Sequence, residues 1–182
     1  MGKLKNDVAK VLFTREEIAE KVKSLANQLK SAYEGKNPLI LCILKGSLIF
    51  TADLVRELDF PCTIDFMQVS SYGQGAKSSG QLKVKKDMDT DINGRDVIIV
   101  EDILDTGVTL SNLVPELERR GAKSVALCVF LNKEARRRVD IKADYVGYDI
   151  ENEFVIGYGL DYDEKYRNLP YIGVLKREVY EK

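Results

Sequence analysis

The chain has 182 residues, 45% of them hydrophobic and 31% charged, so it is long enough for a real core and one domain spanning residues 1–182 is expected. A formal net charge of −1 gives no ground for non-specific attraction to nucleic acid or to an anionic membrane. There is no histidine, which excludes imidazole bases, His-ligated metals and Ser-His pairs and leaves acid-base work to Asp, Glu, Lys or Tyr.

The first segment, MGKLKNDVAKVLF, scatters charges and has no uninterrupted apolar stretch, so it reads as neither signal peptide nor membrane span, and a cytoplasmic location is expected. Asn6 stands where a myristoylation signal needs Ser or Thr. Thr14 followed by Glu17 is a capping-box pattern, and Ile18, Val22, Leu25, Ala26 and Leu29 recur at helical spacing, which predicts a helix over 15–34, ended by Gly35 and Pro38. LILCIL (39–44) is a short apolar run that fits a strand buried on both faces, followed by a helix from Leu48 to Leu58. Residues 62–72 alternate in part as a strand, and GQGAKSSG (73–80) is polar and Gly/Ser-rich, as in a mobile loop or lid. QLKVKKD (81–87) predicts a strand with one wet face, and the four acids of DMDTDINGRD (87–96) read as a solvated turn.

After VIIV (97–100), Leu110, Leu113, Val114 and Leu117 give a helical stripe stopped by Gly121, and SVALCVFL (124–131) is another buried strand. EARRR (134–138) reads as a solvated helix face, DYVGYDI, FVIGYGL and PYIGVL as shorter strands before a charged tail. Cys42, Cys62 and Cys128 are odd in number and lack CxxC spacing; two lie in apolar runs, which suits buried thiols in a reducing compartment rather than zinc or disulfides. Strands alternating with helices argue for an α/β domain with a mainly parallel sheet, whose ligands bind beyond the carboxyl ends of its strands.

VIIVEDILDTGVTL (97–110) lies at such an end. Glu101 and Asp102 finish the strand, Asp105 to Thr109 form a short turn, and a helix begins near Leu110. Gly107 permits a positive φ, Thr106 and Thr109 offer hydroxyls, and the free N–H groups of the helix start make a phosphate cradle. The acids would repel a phosphate, so they suit sugar hydroxyls, a bridging Mg²⁺ or a protonated ligand group. A sugar phosphate satisfies both halves.

Two acids after four apolar strand residues, then two apolar residues and Asp-Thr-Gly-Val-Thr, resemble the phosphoribosyl pyrophosphate (PRPP) signature of the type I phosphoribosyltransferases. LKGS (44–47), SSYG (70–73), Asn132-Lys133 and EFVIGYGLDYDEKYRNLPYIGVL (153–175) follow in the order of the hypoxanthine-guanine members, so the likeness runs from near Leu39 to Leu175. The resemblance implies the type I fold: a mainly parallel twisted sheet flanked by helices, a small hood from N-terminal residues and the 150–175 region, and a mobile loop carrying Ser71 and Tyr72. It also implies a Mg²⁺-dependent purine-salvage enzyme that moves the phosphoribosyl group of PRPP to a 6-oxopurine, works as a homodimer or homotetramer, and has no nucleic-acid or membrane partner.

Carried over by position, Glu101 and Asp102 would hold the ribose hydroxyls with Mg²⁺ between them. Asp105 would be the general base or acid at purine N7, and Asp105, Thr106, Gly107, Val108 and Thr109 the 5′-phosphate loop. Lys133 would donate to the 6-oxo group, Phe154 would stack on the base, and the Val155 backbone would bond its edge. Asp161 would bind a second Mg²⁺ through pyrophosphate, which Lys45-Gly46, with a non-prolyl cis peptide in many members, and Arg167 would also hold. Leu160 lies next to the position that reads the purine 2-substituent. The oxocarbenium-like transition state of such a transfer needs protection from water, for which the 73–80 loop is the expected lid.

Singly, these residues have plainer readings: Lys45-Gly46 as a strand-to-helix turn, Lys133 as a snorkelling surface lysine, Phe154 as core and Arg167 as a rim charge. Their agreement in order gives them weight. Asp-Thr-Gly also marks aspartic proteases, but those are all-β and pair two such loops; Gly157-Tyr158-Gly159 lacks the third glycine and following helix of a dinucleotide binder. The alternative is a nucleic-acid-binding regulator on the PRPP fold, although the pyrimidine attenuators lack an Asp at the position of Asp105.

Overall fold

The structure is a computed structural model and describes residues 3–71 and 82–181. Tyr72 and the lid expected at 73–80 lie outside the described residues, and Ser71 is placed only as the end of its strand. In chain order the elements are β1 (Val8–Phe13), α1 (Arg15–Tyr33), β2 (Leu39–Ile43), α2 (Leu48–Glu57), β3 (Thr63–Ser71), β4 (Leu82–Lys86), β5 (Asp96–Leu104), α3 (Val108–Arg119), β6 (Ser124–Asn132), β7 (Tyr145–Asp149), β8 (Val155–Ile156), β9 (Ile172–Leu175) and α4 (Arg177–Tyr180).

The main sheet has the order β4-β3-β2-β5-β6-β7, parallel throughout except for the antiparallel β3–β4 pair. β2 is buried at every position, so its side chains divide by alternation between two cores. Ile40, Ile98 and Val100 face α1 and α2, whereas Leu39, Leu41, Val97 and Ile99 face Leu110, Leu113 and Leu117 of α3. The capping box at α1 forms as its spacing predicts: Glu17 N–H donates to Thr14 Oγ1 at 3.2 Å, and Thr14 N–H to the Glu17 carboxylate at 2.8 Å. In-register parallel pairing brings the C-terminal ends of β2, β5 and β6 to one edge, which fixes where the loops that follow them meet.

A second, antiparallel sheet of order β1-β9-β8 packs Ile156, Tyr166, Leu169 and Leu175 together, and Tyr166 Oη donates to Asp7 at 2.8 Å. FVIGYGL is strand only at Val155 and Ile156, because Gly157, Tyr158 and Gly159 all take positive φ and turn the chain into a strap over the main sheet's loops. β4 is an edge strand more exposed than its alternation suggests: on the apolar face Leu82 packs against the core, but Val84 is 38% exposed. The acids of 87–96 are not all solvated, since Asp96 is buried and accepts from Ser124 Oγ at 2.6 Å, and Asp87 pairs with Arg120. EARRR forms no helix face; Glu134 to Arg136 make one 3₁₀ turn, after which the chain passes under the β5–α3 loop. α3 starts at Val108, two residues earlier than its apolar stripe, because Gly107 caps it at φ +80°.

Candidate active site

The β5–α3 loop is shaped by what lies beneath it. A Cβ on Gly107 would come within 2.5 Å of Ile141 Cγ2 and 3.0 Å of Val139 Cγ2, so glycine is needed for contact as well as for the left-handed φ. Arg138 N–H donates to Thr106 O at 3.0 Å, tying the loop to the 137–141 segment. Arg137 joins three elements, donating to Asn132 Oδ1 at 2.6 Å, Ile141 O at 3.1 Å and Leu104 O at 3.4 Å. The first turn of α3 then presents N–H groups that the helix does not use, beside a cavity of about 120 Å³ lined by Glu101, Asp105, Thr106, Gly107 and Thr109.

Three carboxylates surround this cradle. Glu101 Oε2 is buried and has no hydrogen-bond partner among the described residues; burial, with Asp102's like charge, pushes its pKa well above the usual range. Asp102 is pushed up to about 6 by burial, opposed by the Ile103 N–H that its Oδ1 accepts at 2.8 Å and by the Arg167 charge. A Cβ on Gly46 would overlap Asp102 Oδ2, so the β2–α2 loop approaches this acid as closely as backbone allows. Asp105 Oδ1 is also buried and without a hydrogen bond among the described residues, with Arg136 Nε at 3.4 Å. Arg136 and Arg137 were invisible as site residues in a run of like charges.

Lys133 is 5% exposed, which overturns the snorkelling reading. Its N–H donates to Leu104 O at 3.0 Å, next to Asp105, and its Nζ donates to Glu153 O at 2.8 Å. Burial lowers its pKa while the Asp105 charge works against that shift. Glu153, which the sequence did not single out, thus leads into Phe154, whose ring is 37% exposed, stacked on Tyr180 at 5.0 Å and met edge-on by Tyr162 at 5.5 Å. Val155 is buried and pairs with Val174 of β9.

The strap closes the other side. A Cβ on Gly159 would overlap Gly46 O, so strap and β2–α2 loop touch backbone to backbone. Leu160 is buried there. Arg167 donates to Gly159 O at 2.8 Å and pairs with Asp161 Oδ1 at 2.9 Å. Lys45 Nζ donates to Glu164 Oε2 at 3.1 Å. The cis peptide is Leu44–Lys45, one bond before Lys45–Gly46. A cavity of about 490 Å³ between α1, α2 and the strap is larger, but its Asp53 is already paired with Arg56 and accepts from Tyr158 Oη, so the smaller cavity has the reactive chemistry. Among the described residues no group of three or more Cys, Asp or Glu forms a metal cage. Mg²⁺ needs none when it keeps its waters and shares substrate phosphates, and the unpartnered Glu101 oxygen beside Asp102 is a hard-donor set that fits it.

Residues 9–163 match the family model described as the phosphoribosyl transferase domain. The chain belongs to the phosphoribosyltransferase family. This phosphoribosyltransferase is 54% identical over 179 residues to the hypoxanthine-guanine phosphoribosyltransferase of Streptococcus thermophilus, covering 98% of this chain and 99% of the relative. It is 52% identical over 178 residues to that of Bacillus subtilis, with the same coverage. The crystal structure of a hypoxanthine phosphoribosyltransferase from Staphylococcus aureus superposes with a TM-score of 0.96 at 47% identity, over 100% of this chain and 98% of the other. The mostly parallel sheet with helices on both faces is accordingly the type I phosphoribosyltransferase fold.

Proposed function

We propose that this phosphoribosyltransferase serves purine salvage, transferring the 5-phosphoribosyl group of PRPP to N9 of hypoxanthine or guanine and releasing pyrophosphate. The observation that carries this reading is the pairing, at the end of β5, of an open phosphate cradle with buried carboxylate oxygens that lack hydrogen-bond partners among the described residues. Such oxygens are costly unless a ligand completes them. The relatives named for hypoxanthine and guanine supply the base.

In this reading the Asp105–Thr109 loop receives the 5′-phosphate, and Glu101 and Asp102 accept from the ribose hydroxyls. The purine lies with O6 toward Lys133, which has two N–H donors left after Glu153 O, and N7–H toward Asp105. The C1′–oxygen bond to pyrophosphate breaks, the N9–C1′ bond forms, and the N7 proton passes to Asp105. A 6-amino group would offer Lys133 a donor, so adenine is rejected. Phe154, backed by Tyr180, stacks on the base, the Val155 backbone bonds its edge, and Leu160 lies beside the 2-substituent. Lys45, Gly46 and Arg167 hold pyrophosphate. Glu101, Asp102 and Asp161 would hold Mg²⁺, which when bound neutralises pyrophosphate charge.

Self-association as a homodimer or homotetramer and a cytoplasmic location complete the proposal. Cys42, Cys62 and Cys128 are all free thiols, and no described helix is long and apolar enough to cross a membrane. The test is an absorbance assay with PRPP and Mg²⁺ and, separately, hypoxanthine, guanine, xanthine, adenine and uracil. Turnover of the first two, abolished by EDTA, is expected; turnover of adenine or uracil alone, or of no base, refutes the assignment.

A further inference from the structure

Lys45 and Arg167, which the functional reading assigns to pyrophosphate, converge on one oxygen of this chain. Glu164 Oε2 accepts from Lys45 Nζ at 3.1 Å and lies 3.4 Å from Arg167 Nη2. The two cations come from different parts of the fold, Lys45 from the β2–α2 loop and Arg167 from the strap, and a single carboxylate oxygen accepts from both, the bonding that a phosphate oxygen shared between them would need.

The backbone that presents this oxygen is unusual for a glutamate. Tyr162 and Lys165 exchange backbone hydrogen bonds, at 3.2 and 3.0 Å, around a two-residue turn whose central residues, Asp163 and Glu164, have φ of +52° and +57°. Positive φ at both positions marks the type I′ hairpin turn, which favours Asn-Gly or Asp-Gly. Glycine would adopt the second position without strain, whereas a glutamate is held there against its preference. The turn is fixed from below, since Glu164 N–H donates to Asp161 Oδ2 at 2.9 Å while Asp161 Oδ1 takes Arg167. The carboxylate is thereby aimed at the cation pair, although its side chain is 64% exposed.

We propose that Glu164 is an internal competitor for pyrophosphate: its carboxylate and a pyrophosphate oxygen exchange on Lys45 and Arg167, so that Glu164 weakens the hold on PRPP and on the leaving pyrophosphate without acting on the purine. This rests on the assignment of those two cations to pyrophosphate. An anion supplied by the protein keeps the cations oriented for substrate and limits how tightly product is retained. Glu164 is thus a positioning residue that sets a trade between capture and release.

The test is calorimetric titration of the whole chain with pyrophosphate in Mg²⁺, together with steady-state kinetics. Glu164→Gln keeps the shape and removes the charge. It is expected to tighten pyrophosphate roughly two- to fivefold, the scale of partly exposed ion pairs, and to lower KM for PRPP with KM for hypoxanthine unchanged. Glu164→Asp, shorter by one methylene and more tolerant of positive φ, folds readily and shifts affinity in the same direction. Pyrophosphate affinity equal to or weaker than the parent's in both variants overturns the proposal, as does an equal gain in Asp163→Asn, which would mean diffuse charge rather than competition. Lys45→Met, with Glu164 intact, is expected to weaken pyrophosphate; if it does not, the cation assignment itself fails, and that failure is separate from any result at residue 164.

Discussion

At the scale of single residues, Asp102 is a carboxylate kept where ionisation is costly. Burial raises its pKa from 3.8 to about 6, so the folded chain holds this proton more tightly than the unfolded one. Its contribution is therefore full below the ordinary value, declines as pH rises toward about 6, and stays lost above. Asp102→Asn should accordingly stabilise the fold at about pH 8 by on the order of 1–3 kcal/mol, seen as a higher Tm, with no gain near pH 4, while raising KM for PRPP; a lower Tm at the higher pH would contradict this. Asp105→Asn should keep the fold and lower kcat about 10²- to 10⁴-fold by removing the proton acceptor at N7, and an unchanged kcat at saturating substrates would remove that role. These acids were legible because they follow a buried apolar run and lead into Asp-Thr-Gly-Val-Thr, although β5 runs on to Leu104 and so holds Glu101 and Asp102 within it rather than ending at them. Lys133 and Arg136 were less so: a lysine after a strand reads the same whether its ammonium reaches water or a buried carbonyl, and an arginine in EARRR is told from its neighbours only by the 3₁₀ turn that brings it to Asp105.

At the scale of elements, β2, β5 and β6 were readable because strands buried on both faces are continuous apolar runs. β1 was not, because it is largely exposed and shows no period, and β8 was read too long, as FVIGYGL, because positive φ ends it after two residues. The start of α3 was misplaced because its first turn, Val108 and Thr109, faces the cradle rather than the core, and hydrophobic spacing reports only the core. That turn depends on Gly107. Gly107→Ala must relieve a contact with Ile141 and adopt φ +80°, at a cost of about 1–3 kcal/mol. Because the strain falls on the phosphate loop, KM for PRPP should rise at least tenfold while KM for hypoxanthine changes little, a split that initial-rate kinetics would test.

At the scale of the whole molecule, acids of opposite character set the pH response. Burial alone would raise Asp65, but hydrogen bonds from Thr90, Phe66 and Asp89 outweigh it and hold its carboxyl below the usual range. Asp87 is lowered by Arg120 and Asp96 by Ser124. These three stabilise the fold above the ordinary carboxylate range and lose that effect as pH falls, whereas Glu101 and Asp102 oppose folding once ionised. Stability without substrates should therefore peak between about pH 4 and 6, and saturating PRPP with Mg²⁺ should move the peak upward by favouring the ionised pair; a thermal-unfolding series across pH would show either. Asp65→Ala, which leaves four N–H and O–H donors, from Phe66, Asp89 and Thr90, without their acceptor, should cost about 2–4 kcal/mol and lower the urea midpoint at neutral pH.

The contact between Gly46 and Gly159 has a further consequence for how this sequence can vary. One position lies against Asp102 and the other against the first glycine's carbonyl, so neither has room for even a methyl group. In a saturation library selected for activity, these two codons should retain glycine alone, although neither side chain performs any chemistry. They would stand out as invariant points in a map that otherwise follows charge: room at Gly46 could come only from moving the Asp102 carboxylate that the site needs, and room at Gly159 only from moving backbone, which a single codon change does not reach.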